Sequence, residues 1–134
     1  MSNILFVEDE QHSVNRYVSP LERRGFSCAI AKNGDEAFAW LKSGTIEVLS
    51  LDIMFDPGRA FEVSSDTLWA GVRLLELIRQ AQIPKCDPEL KVVVLTAVEN
   101  PVVEDKIKKL GVIEYLKKPV AFEKVIATFM NMKS

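Results

Sequence analysis

The chain has 134 residues, 48% of them hydrophobic and 27% charged, with a formal net charge of −2. These values fit one soluble globular domain with its own core and exclude a disordered or collagen-like chain. They also argue against a broad nucleic-acid surface, which needs a clustered positive excess.

No apolar run approaches the roughly 20 residues of a membrane span. The acidic start MSNILFVEDE lacks the basic-then-apolar order of a signal peptide. Cys28 and Cys86 fit neither a metal spacing nor a disulfide framework, so a reducing, cytoplasmic setting is expected.

Five short runs rich in Val, Ile and Leu, at residues 4–7, 26–31, 48–51, 92–95 and 112–116, read as strands buried on both faces. After the first, Val14, Tyr17, Val18 and Leu21 recur at helical spacing, and Pro20 inside that pattern predicts a kink or break near Ser19. After the second, Ala37, Phe38 and Leu41 mark a shorter helix. The third is followed by IMFDPGRAFEVSSD, residues 53–66, much longer than the usual connector of about 2–6 residues. A helix carrying Gly71, Leu74, Leu75 and Ile78 comes next, then the turn-rich PKCDP.

After the fourth run, Asn100-Pro101 reads as an N-cap and first helical residue, with Val103, Ile107 and Leu110 inside and Gly111 at the end. Phe122, Val125, Ile126 and Phe129 form the last helical stripe. Strand–helix alternation repeated five times predicts an α/β fold: a doubly wound five-stranded parallel sheet with helices on both faces.

In such sheets ligands bind beyond the carboxyl ends of the strands. Here those ends carry Glu8 and Asp9 after the first strand, Asp52 after the third, Thr96 after the fourth and Lys118-Pro119 after the fifth. Crowded carboxylates repel unless a cation intervenes. Mg²⁺, satisfied by a few carboxylates, waters and a phosphate oxygen, suits the set. A carboxylate beside such an ion can attack phosphorus, and Lys118 and Thr96 would then serve the new charge.

With ILFVEDE, LSLDIM, GVRLLELIR, VVVLTA and YLKKP in this order, the whole chain resembles the receiver domain of two-component response regulators. The resemblance implies the flavodoxin-like (βα)₅ strand order 2-1-3-4-5 and a single domain over 1–134 with an insertion at about 53–66. It implies Asp52 as phosphoacceptor, and Glu8, Asp9, Asp52 and the backbone carbonyl of Met54 as Mg²⁺ ligands. Thr96 and Lys118 would contact the phosphoryl group, and Thr96 and Tyr115 would form the switch pair. The donor would be a sensor histidine kinase or phosphotransfer protein. Such a chain is a signalling phosphoacceptor rather than an enzyme in the ordinary sense.

Output would be a protein–protein contact through the fourth helix, fifth strand and fifth helix, here about 102–110, 115–117 and 122–130. No direct nucleic-acid or membrane contact is expected of it. Because the chain stops at Ser134, just past the last helix, it is expected to stand alone, as a monomer or weak dimer. Two alternatives stay open: a receiver-like scaffold that is not phosphorylated, and an aspartyl-phosphate-forming phosphatase, which would want an acid where Met54 stands.

The insertion departs from the family pattern, with Asp56 where a proline is usual and Pro57 after it. A lid, a partner contact and a tolerated solvated loop are all open readings. In the family that the chain resembles, loss of the phosphoryl group depends on the side chains two residues past the phosphoacceptor and past the hydroxyl residue. Here these are Met54 and Val98, which cannot hydrogen-bond an attacking water, so the resemblance implies slow loss unless a phosphatase assists. Trp40 and Trp69 read as packing residues, and His12 as a surface residue.

Overall fold

The computed structural model describes residues 2–61 and 69–132. Ten elements follow one another: β1 (Ser2–Val7), α1 (Gln11–Glu22), β2 (Phe26–Ala31), α2 (Gly34–Leu41), β3 (Val48–Leu51), α3 (Ala70–Arg79), β4 (Lys91–Thr96), α4 (Pro101–Leu110), β5 (Glu114–Lys117) and α5 (Phe122–Met130). The strands form one parallel sheet in the order β2-β1-β3-β4-β5. Parallel neighbours cannot be joined by a tight turn, so a helix fills each crossover.

Strand alternation divides the core in two. Leu5, Val7, Leu49, Leu51, Val92 and Val94 face a layer containing Ala37 and Leu41 of α2, Leu74, Leu75 and Ile78 of α3, and Val103 and Ile107 of α4. Ile4, Phe6, Val48, Val93, Leu95 and Leu116 face Val14, Tyr17 and Leu21 of α1 and Val125, Ile126 and Phe129 of α5. Each such side chain, fully buried, contributes about 1.5–3 kcal/mol. Phe6 meets Phe129 edge-on at 5.7 Å between ring centroids.

The expected N-cap of α4 is present. Asn100 Oδ1 accepts from the backbone N–H groups of Val102 (3.0 Å) and Val103 (3.2 Å), and Pro101 opens the helix. Gly111 ends it at φ +93°, in the left-handed range that suits glycine.

Several expectations are corrected. Helix α1 runs unbroken through Pro20 to Glu22. Pro20 can give no N–H to the Arg16 carbonyl and crowds it, a cost that falls on the turn before it, yet the chain keeps its helical course for two more residues. The fifth strand begins at Glu114, not at Val112, because Gly111 and the next two residues are used to turn out of α4. Trp40 is 42% exposed and does not pack in the core.

Over its described part the connector after β3 buries Ile53, Phe55 and Phe61 in the main core and exposes Met54, Asp56, Gly58 and Arg59. Its residues 62–66 lie outside the described residues.

Candidate functional site

Parallel strands present all their carboxyl ends at one rim, so residues distant in sequence converge there. The register sets Val7 beside Leu51 and Thr96 beside Lys117. Glu8 and Asp52 therefore leave adjacent strands side by side; Asp52 N–H donates to the Val7 carbonyl at 3.0 Å. Glu8, Asp9 and Asp52 each bring a carboxylate oxygen within 4.8 Å of the others. Glu8 is buried, Asp52 half-buried and Asp9 exposed.

Two donors complete the group. The Thr96 hydroxyl, fully buried, donates to Asp52 Oδ1 at 2.7 Å. Lys118 Nζ donates to Glu8 Oε2 at 2.7 Å. Glu8 Oε1 accepts from the Glu10 N–H at 3.2 Å. Burial, together with the neighbouring Asp52 carboxylate, pushes the Glu8 carboxyl up to about 7 against the pull of Lys118.

Three carboxylates against one ammonium leave an excess of negative oxygen donors facing solvent. That is the donor chemistry of a hard divalent cation, and its partial exposure leaves room for waters and a phosphate oxygen. The residues present fit such an ion.

Of the side chains expected at the site, Glu8, Asp9, Asp52, Thr96 and Lys118 are brought together here. Met54 follows Asp52 by two residues and exposes its side chain, 43% of it accessible. Tyr115 packs against the α2–α3–α4 layer. Its hydroxyl is buried and finds no partner among the described residues, and burial pushes its pKa up to about 12. Lys108 Nζ sits 5.7 Å from its ring centroid. Asp56 does not join the carboxylates; its Oδ1 accepts from the Gly58 N–H at 2.9 Å, in its own turn.

Sequence reasoning missed the partner of the segment after β3, which is the start of α2. Asn33 and Asp56 form a parallel bridge, and the Gly34 N–H donates to the Asp56 carbonyl at 2.7 Å. The Arg59 N–H donates to Asp35 Oδ1 at 2.9 Å, and Phe61 lies between Phe38 and Phe55 at 5.6 and 6.2 Å. Ile53 and Phe55, apolar at a spacing of two, were the legible sign that the stretch past Asp52 is half-buried.

A family model described as the response regulator receiver domain matches residues 4–130. Two curated bacterial proteins are similar in sequence. The uncharacterized transcriptional regulatory protein YkoG of Bacillus subtilis is 29% identical over 93% of this chain and 48% of its own length. The transcriptional regulatory protein PcoR of Escherichia coli is 28% identical over 95% of this chain and 49% of its own length. The chain thus spans about half the length of the curated relatives it matches.

Among solved structures, the Vibrio cholerae chemotaxis protein CheY4 superposes with a TM-score of 0.72 at 20% identity, covering 99% of both chains. A Burkholderia pseudomallei response regulator, solved with a phosphorylated aspartic acid, a calcium ion and citrate, gives 0.69 at 24% identity over 96% of this chain and 66% of that one. At these identities the likeness is one of fold. No described helix is long and apolar enough to cross a membrane.

Proposed function

Because this chain belongs to the response regulator receiver domain family, we propose that Asp52 accepts a phosphoryl group from a phosphohistidine on a sensor histidine kinase or phosphotransfer protein, in the cytoplasm and with Mg²⁺. The observation that carries this reading is the convergence of three carboxylates, one ammonium and one buried hydroxyl at the carboxyl rim of the sheet.

An Asp52 oxygen attacks phosphorus, the P–N bond breaks, and its electron pair leaves with the imidazole. The product is an acyl phosphate on Asp52. Glu8, Asp9, Asp52 and the Met54 backbone carbonyl would hold the ion. When bound, Mg²⁺ supplies positive charge to the phosphoryl oxygens. Thr96 and Lys118 are already aimed at the site and can turn to the arriving oxygens, exchanging carboxylate acceptors for phosphoryl ones.

The output side of the reading is a contact surface on α4, β5 and α5. Val102 is 66% exposed on α4. Glu104 ties α4 to β5 by accepting from Lys117 at 2.9 Å while holding Lys108 at 2.7 Å. Tyr115, beneath that pair, has an unmatched hydroxyl that a second rotamer can hydrate. Phosphorylation would bias this element between two arrangements.

The test is incubation with Mg²⁺ and acetyl phosphate, read by intact mass. One base-labile adduct that requires both Mg²⁺ and Asp52 supports the reading. An adduct retained in Asp52→Asn, or none in folded wild type, overturns it.

A further inference from the structure

The segment after Asp52 is seated at two points. At its near end the Gly71 N–H donates to the Ile53 carbonyl at 2.8 Å, and a Cβ on Gly71 would lie 2.8 Å from Ile53 Cα. At its far end it lies on the first turn of α2, held by the Asn33–Asp56 bridge, the Gly34 N–H on the Asp56 carbonyl, and Asp35 beneath the Arg59 N–H. A Cβ on Gly34 would run into the Pro57 carbonyl oxygen and come within 2.8 Å of the Phe61 ring. Between the two anchors stand Met54, with its side chain exposed, and Phe55, buried edge-on against Phe61. Nothing that Met54's own side chain buries can set the direction of its peptide.

We propose that Gly34 and Asp35 are positioning residues for the metal pocket. They clamp residues 56–59 onto α2, and with Gly71 they fix the backbone on either side of Met54, whose carbonyl would join Glu8, Asp9 and Asp52 in holding the ion. The proposal rests on the reading of Asp52 and its Mg²⁺ pocket given above. In physical terms the clamp is an outer layer that orients a ligand, and removing such layers typically weakens metal affinity about 10–100-fold. Over residues 53–61 the connector is thereby tied down by backbone bonds and by three stacked or edge-on rings.

Gly34→Ala is the sharpest probe. Gly34 is not in a positive-φ conformation, and alanine favours helices, so α2 itself tolerates the change while its new methyl evicts Pro57. Asp35→Ala removes only the acceptor for Arg59. Asp35→Asn keeps an acceptor oxygen there and loses the same charge as Asp35→Ala. Leu41→Ala, in the core at the far end of α2, destabilises the helix without touching the clamp.

Mg²⁺ affinity is measured by calorimetry on wild type, the four variants and Asp52→Asn. The expected result is a loss of about tenfold or more for Gly34→Ala, a smaller loss for Asp35→Ala, and wild-type binding for Asp35→Asn and Leu41→Ala. Wild-type binding by both Gly34→Ala and Asp35→Ala, or equal losses in Leu41→Ala, overturns the clamp while leaving the pocket standing. If Gly34→Ala does not fold, the Asp35 pair decides alone. A folded wild type that binds no Mg²⁺, or binds it as well with Asp52→Asn, overturns the pocket and the clamp together.

Discussion

Lys118 gives its ammonium to Glu8, at 2.7 Å, and Asp52 takes its hydrogen bond from Thr96. The lysine is thus parked on the most buried of the three acids, beside the proposed acceptor. Removing it leaves an uncompensated carboxylate behind. Lys118→Ala should cost about 1–3 kcal/mol above neutral pH, a figure kept modest because the lysine side chain is 23% exposed. Near pH 5 the loss should shrink, since Glu8 then holds a proton. Urea denaturation at the two pH values checks this; a pH-independent cost would refute it.

The metal-free protein should lose stability as pH rises from about 4.5 to about 7. Over that window the folded state keeps a proton on Glu8, whose carboxyl is pushed up to about 7, while the unfolded chain has released it. The folded form therefore binds more protons, and its advantage falls with rising pH. Mg²⁺ needs the ionised carboxylate, so its affinity should rise through the same window. Denaturation of wild type and Glu8→Gln across the range, with and without Mg²⁺, checks both; an unchanged slope in Glu8→Gln would sink the assignment.

The phosphorylated form should be long-lived. Met54 and Val98 flank the site with side chains that cannot orient a water. Installing Met54→Asn should speed hydrolysis by about tenfold or more, the scale on which one positioned polar group acts. Decay of the intact-mass adduct in purified protein gives both rates. A wild-type half-life of seconds contradicts the expectation.

Tyr115→Phe should be neutral or stabilising, by up to about 1 kcal/mol, because the hydroxyl is buried without a partner among the described residues. Chemical denaturation measures it. A loss of stability would mean that the hydroxyl is satisfied by ordered water.

Most of the frame was legible in the chain. Unalternating Val-rich runs required a sheet covered on both sides, and the helical stripes at Val14–Leu21, Gly71–Ile78 and Phe122–Phe129 supplied the cover. Asn100-Pro101 and Gly111 marked both ends of α4 because capping is local chemistry. Pro20 misled because its missing N–H and its ring act on the carbonyl four residues before it, and only the folded chain shows that the helix bears this and runs on to Glu22. Val112 and Ile113 misled because an apolar run does not say which of its residues must first turn out of a helix.

The same division holds at the site. Residue type and order alone determined which acids, hydroxyl and lysine stand at the strand ends, since parallel topology sends every such end to one rim. Only the tertiary structure decided that Lys118 pairs with Glu8, that the Tyr115 hydroxyl is stranded, and that residues 56–61 lie on the start of α2. Those are contacts between segments far apart in sequence, selected by competition for burial and for backbone donors, and no local pattern encodes the winner.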